Sequence, residues 1–186
     1  MIGAGAAGTS AAYHLAHVGH SVTILEAETG AKIKPCGGGM ASSVQNWFPF
    51  DLSPAVDDVI RQVDFSWCLE DPVVAELPGE APFWIVRREH LDSLLLEQAV
   101  SAGATVQRPC RVTALERTGE CWTLTGDQGT PVQARAVVIA DGSGSPWPQQ
   151  VGIGPSSLHM ASTLSVRLEG LGTVSYTHLR AHETSQ

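Results

Sequence analysis

A chain of 186 residues, 43% of them hydrophobic, has room for one globular domain or a domain and a half. Its net charge of -8 argues against nucleic acid or an anionic membrane surface as the main partner. No run reaches transmembrane length and there is no signal peptide. Cys36, Cys68, Cys110 and Cys121 lack CxxC or zinc-ligand spacing, which predicts reduced thiols in a cytoplasmic protein.

Gly3-Ala4-Gly5-Ala6-Ala7-Gly8 is a G-x-G-x-x-G turn that runs straight into a helical stretch. The helix spans Ala6 to Val18, with small residues Ala7, Ala11, Ala12 and Ala16 on one face and Gly19 as its stop. Ser21 to Glu26 follows as an apolar strand ending in an acid, and Glu26 lies 18 residues past Gly8. This is the spacing of a dinucleotide-binding βαβ unit. Gly3 permits the tight turn, Gly5 lets backbone approach a pyrophosphate, and Gly8 lets helix and sheet pack closely. The helix N-terminus holds the phosphate charge and Glu26 accepts from a ribose. His14, His17 and His20 read as solvent-facing rather than metal ligands, since no carboxylate or Cys completes a set.

Thr29 to Gly39 is a loop ending Lys34-Pro35-Cys36-Gly37-Gly38-Gly39. Three consecutive glycines suit backbone that passes close to something flat or charged. Met40 to Ile60 carries helical signals, with Ser53 and Pro54 resembling an N-cap and first helical position. The period then changes to two: Val63, Phe65, Trp67 and Leu69 predict a half-buried strand. Val73 to Leu77 and Phe83 to Arg87 predict two more, joined through Pro78-Gly79. Trp47, Phe48, Phe50, Phe65, Trp67, Phe83 and Trp84 either wall an apolar pocket or form an ordinary core.

Glu89 to Ala102 predicts a second helix and Ala104 to Gln107 a third strand of the nucleotide domain. Arg111 to Gln133 reads as an antiparallel meander. Ala136 to Ala140 is a continuous apolar run, expected to be a buried parallel strand, and it ends in Asp141-Gly142-Ser143-Gly144-Ser145. Loops at the carboxyl ends of such strands are where ligands bind. Ser162 to Glu169 predicts a further strand.

These features together resemble the geranylgeranyl reductase family of flavoproteins, within the aromatic-hydroxylase-like FAD enzymes. The glycine turn with Glu26 carries the resemblance first. Lys34 to Gly39 is similar to that family's K-P-C-G-G-G loop. Arg88-x-x-Leu91-Asp92-x-x-Leu95 resembles its R-x-x-F-D-x-x-L, with Leu for Phe. Ala140-Asp141-Gly142-x-x-Ser145 resembles its A-D-G-x-x-S. The likeness runs from Met1 to about Gly172.

The resemblance implies an α/β fold in which a Rossmann-type FAD-binding domain is interleaved with a partly antiparallel substrate domain. The expected segments are 1–40 and 87–150 for the first and 41–86 and 151–173 for the second. It implies FAD contacts by Gly3, Gly5, Gly8 and Glu26. Cys36, Gly37, Gly38 and Gly39 would pass beside the flavin ring, Arg88 would approach the adenosine side, and Asp141 with Gly142 would lie near the pyrophosphate. The implied reaction is reduction of isoprenoid carbon–carbon double bonds by hydride from reduced flavin, with Cys36 as a weak candidate for the proton donor. The electron donor is NADPH or ferredoxin. The substrate is an apolar small molecule, reached from the cytoplasm or by peripheral membrane contact. An FAD monooxygenase or halogenase, which would share the fold, the glycine turn, Arg88 and Asp141, is the alternative, with the Lys34 to Gly39 loop against it. Pro146-Trp147-Pro148 stands where related hydroxylases carry an Arg, so a nicotinamide contact by that Arg is not implied. A plain NAD-binding domain explains less, because it gives the triple-glycine loop no role.

The ends are expected not to be natural domain ends. Only Met1 and Ile2 precede the first glycine, where a βαβ unit needs an apolar strand. Val174 to Thr184 reads like a translated sequencing-library adapter, making 174–186 a non-native tail. On this reading the chain is a piece of a longer one, with later family motifs beyond it. The strand at Ser21 to Glu26 would lose a neighbour, and the fragment would express poorly, lose FAD and be inactive.

Overall fold

The computed structural model describes residues 1–30, 34–68, 70–129 and 131–154. The expected strand at Ser162 to Glu169, the tail at 174–186 and Leu69 lie outside these residues.

Two helices flank the glycine turn and both end as the sequence predicts. Helix α1, Ala6–His17, stops at Gly19 (φ +87), where Gly19 N–H reaches Ala16 O and His20 N–H reaches Leu15 O. Helix α2, Arg88–Ser101, stops at Gly103 (φ +107) in the same way, with Ala104 N–H on Ala99 O. Small residues of α1 (Ala12, Ala16) and the Leu91, Leu95 and Ala99 stripe of α2 share one core with Ile24, Phe48 and Leu52. Ile24 and Leu52 are 0% exposed, each worth about 1.5–3 kcal/mol of burial.

The parallel sheet is small. Strand β1, Thr23–Leu25, pairs in parallel with β7, Thr105–Gln107. On its other side Ile2 forms parallel bridges to both Leu25 and Ile139. Gly3 N–H donates to Leu25 O, Leu25 N–H to Met1 O, Ile2 N–H to Val138 O and Ala140 N–H to Ile2 O. Of the first strand expected to be missing, Met1–Gly3 supplies a short stub that pairs with β1 only at Leu25, through one bridge and two backbone hydrogen bonds. The apolar run at 136–140 is corrected. It makes one bridge and Val138 is 38% exposed, because the short Met1–Gly3 segment pairs only its last residues.

A cavity of about 550 Å³ lies between Thr23, Ala134, Val137 and Val138, with Met1 at its edge. The Met1 ammonium donates to Thr23 O at 2.9 Å, and burial holds its pKa below the ordinary value. The folded chain thus binds this proton less tightly than the unfolded one, whose amine titrates at about 8. Its contribution to stability is complete above that pH and is lost as pH falls through the lowered folded value. Thermal melts should show Tm rising with pH towards about 8. An N-acetylated chain should lack that increment.

The remaining strands are antiparallel. Strands β2 (Gly39–Ala41) and β3 (Val56–Ile60) flank β6 (Phe83–Val86), and β4 (Gln62–Trp67) pairs with β5 (Glu70–Glu76). The meander appears as β8 (Val112–Thr118), β9 (Cys121–Gly126) and β10 (Val132–Ala134), followed by helix α3, Trp147–Gln150.

The helical reading of 40–60 fails. Only two 3-10 turns form, Ser42–Trp47 and Ser53–Ala55, before β3 begins. The Gln45 side chain supplies what a helix ladder would: it donates to Phe48 O and Phe50 O and accepts from Leu52 N–H. Leu52, not Ser53, stands at the N-cap of the second turn, and Asp51 accepts from both Ser53 N–H and Ser53 Oγ. Branched Val56, Val59 and Ile60 then favour pairing with β6. The β4–β5 hairpin is exposed rather than half-buried: Phe65 is 58% and Trp67 78% exposed. The aromatics do not form one wall. Phe48 and Phe50 cluster with Tyr13, Phe83 lies against Gly39, and Trp47, Phe65 and Trp67 face outward.

Candidate functional site

The glycine turn is held on three sides, and its glycines have different reasons. Gly3 has φ +94, and a β-carbon there would meet Ala140 O at 2.6 Å and Asp141 Cα at 2.9 Å. A β-carbon on Gly8 would run into Gly3 O. Both are demanded by the fold. Gly5 is not: its φ is -76, and an added β-carbon would meet only the Lys34 ammonium, at 2.7 Å.

Gly5 is also the N-cap of α1. No side chain caps this helix start and no acid lies in its first turn. The early N–H groups of a helix have no partner inside it, and they carry the positive end of its dipole. This start offers them, with no β-carbon on Gly5 in the way, to a phosphate. The residues present fit a dinucleotide diphosphate.

Glu26 ties the turn to β1. One carboxylate oxygen accepts from Ala4 N–H at 2.6 Å, the other from Glu28 N–H at 2.9 Å. Each oxygen keeps a further lone pair for a ribose hydroxyl. Its backbone is fixed as well, with Glu26 N–H on Gln107 O and Cys110 N–H on Glu26 O.

The loop at 34–39 bridges the turn to α2. Lys34 reaches Gly5. Cys36, exposed, accepts from Gly38 N–H at 3.4 Å, and its sulfur lies within electrostatic reach of the Arg88 guanidinium. Gly38 has φ +75, and a β-carbon there would strike Val86 O, while Val86 N–H donates to Gly38 O at 2.9 Å. Gly39 sits against the Phe83 ring, and Gly37 faces open space. Two of the three glycines are thus explained by packing against β6.

Arg88 is committed within the protein. It holds Asp92 through Nε and Nη2 at 3.1–3.2 Å, one turn along α2. Burial disfavours its charge, but the Cys36 sulfur and Asp92 more than offset this and raise its pKa. Asp141 and Gly142 are exposed, and Gly142 has φ +106 with nothing near its α-carbon. Ser145 Oγ accepts from Trp147 N–H just before α3, and the buried Trp147 joins Ile2 and Leu25 in a second core.

The structure therefore gathers Gly3, Gly5, Gly8, Glu26, Lys34 and Asp141 around one turn, with Cys36 and Arg88 paired beside it. The sequence reading gave Lys34 no role; its place two residues before Cys36 in the loop was the available signal. Beside this site, a cavity of about 430 Å³ opens between α1 (Ala6, Ser10, His14), Met40, Trp47 and α2 (Leu91, Leu95). Among the described residues no cluster of His, Cys, Asp and Glu suits a metal, and no helix is long and apolar enough to cross a membrane. His14 stacks on Phe48 and His17 on Tyr13.

The family model of the pyridine nucleotide-disulphide oxidoreductases matches residues 1–168. The chain belongs to this family. It is 31% identical over 170 residues to a probable electron transfer flavoprotein-quinone oxidoreductase, YdiS, of Escherichia coli K12, covering 84% of this chain and 39% of that protein. It is 27% identical over 184 residues to menaquinone reductase of Mycobacterium tuberculosis H37Rv, covering 95% and 44%. The chain thus spans about two fifths of the length of these relatives. Among solved structures, the flavin-dependent halogenase CmlS superposes with a TM-score of 0.67 at 29% identity, over 81% of this chain and 30% of that one. A geranylgeranyl bacteriochlorophyll reductase-like protein of Thermoplasma acidophilum superposes at 0.57 with 18% identity, over 68% and 34%, and so shares the fold. The fold is the mixed α/β fold of FAD-binding oxidoreductases.

Proposed function

We propose that the protein is an FAD-dependent oxidoreductase that reduces carbon–carbon double bonds of an isoprenoid chain. FAD is the cofactor. Gly3, Gly5 and Gly8 would hold its diphosphate at the start of α1, with Glu26 on the adenosine ribose. Bound FAD supplies hydride transfer from its reduced ring. The chain's own part is positioning: Gly38 N–H holds the Cys36 sulfur, Val86 N–H holds Gly38 O, and so the loop at 34–39 is fixed beside the glycine turn. Cys36 is the candidate for delivering the accompanying proton, and the apolar-lined cavity between α1 and α2 is the candidate space for an apolar chain.

The observation that carries this reading is the docking of the Lys34–Gly39 loop between the glycine turn and α2. Two relatives named for quinones support an isoprenoid-bearing lipid as the substrate class. NADPH or ferredoxin is the proposed electron donor. To test the reading, the protein is reduced under nitrogen and mixed with menaquinone or a geranylgeranyl lipid. The expected result is flavin reoxidation with a saturated product by mass spectrometry. Flavin that stays reduced, with no saturated product, sinks it.

The likeness to CmlS favours one second reading, a flavin-dependent halogenase or monooxygenase. Substrate-triggered oxygen consumption with a halogenated or hydroxylated product would select it.

A further inference from the structure

We propose that Lys34 is a binding residue for the diphosphate of the cofactor, acting together with the start of α1; this rests on the FAD reading above. Its ammonium lies 2.7 Å from the point that a β-carbon on Gly5 would occupy. Gly5 is the N-cap of a helix of 12 residues whose first turn holds no acid and whose start no side chain caps. Two positive features therefore face one another: a lysine ammonium and the positive end of a helix dipole. The Glu26 carboxylate, the acid at this turn, is engaged by Ala4 N–H and Glu28 N–H rather than by Lys34. Among the described residues Lys34 has no ion pair, whereas Arg87 holds Asp57, Arg88 holds Asp92 and Arg111 holds Glu28. A lysine on a flexible four-carbon stem is free to turn to solvent or to an acid. Placed at an electropositive helix end, it is positioned to swing outward and share an anion bound there.

The loop explains how Lys34 is kept there. The Cys36 side chain two residues on accepts from Gly38 N–H, and four residues on Gly38 O accepts from Val86 N–H of β6, which fixes the loop. Arg88 cannot take the same role as readily, because both oxygens of Asp92 already engage it. The cation left for the phosphate is Lys34. A diphosphate at Gly5 would take N–H donors from the helix on one side and a charge-assisted hydrogen bond from Lys34 on the other.

The test compares FAD, ADP and riboflavin binding to the apoprotein with Lys34→Gln and Lys34→Arg, by flavin fluorescence and calorimetry. Lys34→Gln should weaken FAD and ADP by the same factor, about tenfold, and flatten the salt dependence of both. Riboflavin, which lacks phosphate, should bind the variant and the parent alike. Lys34→Arg should restore most of the loss. Unchanged FAD and ADP affinity in Lys34→Gln would overturn the proposal. So would an equal loss for riboflavin, which would point to a displaced loop rather than a missing charge. A parent chain that binds ADP but not FAD, with Lys34→Gln weakening ADP, would leave Lys34 standing and count against the flavin reading instead.

Discussion

Gly8→Ala should lower stability by about 3 kcal/mol, while Gly5→Ala should leave the fold standing and cost the chain its cofactor. A β-carbon on Gly8 would drive into the Gly3 carbonyl, which is backbone and held by the sheet. Neither side can give without moving α1 off β1. Overpacking of this kind costs about 1–3 kcal/mol or more, against a total stability of about 5–15 kcal/mol. Gly5 has ordinary backbone angles, and its β-carbon would meet only the far end of Lys34, which can swing aside. The cost there is the loss of a glycine N-cap, about 1 kcal/mol or less. What Gly5→Ala does remove is the space in which a phosphate meets the helix start. Chemical denaturation of both variants, with FAD retention on gel filtration, separates the two effects. If Gly5→Ala melts as low as Gly8→Ala, the division between fold glycines and ligand glycine is wrong.

Glu26→Gln should destabilise the chain even without cofactor, by about 2 kcal/mol, and weaken FAD binding at least about tenfold. Both carboxylate oxygens are in use, one on Ala4 N–H and one on Glu28 N–H. An amide offers a single acceptor oxygen, so one of these N–H groups would face an NH₂ donor. Losing a charge-assisted hydrogen bond costs about 1.5–3 kcal/mol. The glycine turn would then be free to shift relative to β1, and the ribose would lose its acceptor. Urea unfolding of the apoprotein reads the first effect and FAD titration the second. An apoprotein of unchanged stability would show that Glu26 does not organise the turn.

How far the sequence could be read depended on how local the governing interactions were. Helix α1, its Gly19 stop, β1 and α2 follow from periodicity and glycine placement within a few residues, and they stand where expected. So do β7 and the meander. Residues 40–60 misled because the Gln45 and Asp51 side chains capture backbone groups in a way that no periodicity reports. The burial of β4 was misjudged because alternation says which residues share a face, not whether anything covers it. In the site, the glycine pattern and Glu26 were legible from spacing. The meeting of Lys34 with Gly5, and of Cys36 with Arg88, was not. Each joins segments brought together only by the fold, the second pair 52 residues apart in sequence. The reason for Gly38 was hidden in the same way, since its neighbour is the backbone of Val86.

The position of Met1 has a practical consequence at the bench. Its ammonium is tucked against Thr23 at the edge of a cavity. An affinity handle or reporter joined ahead of Met1 therefore does not trail into solvent from its first residue. The junction converts the ammonium to an amide and starts beside the cavity lined by Thr23, Val137 and Val138. A linker of branched apolar residues would zip into the cavity and stiffen the sheet, whereas a glycine–serine linker would leave it wet. Preparations that differ only in the three or four residues of that junction are thus different proteins in their melting behaviour, and those residues belong among the controlled variables.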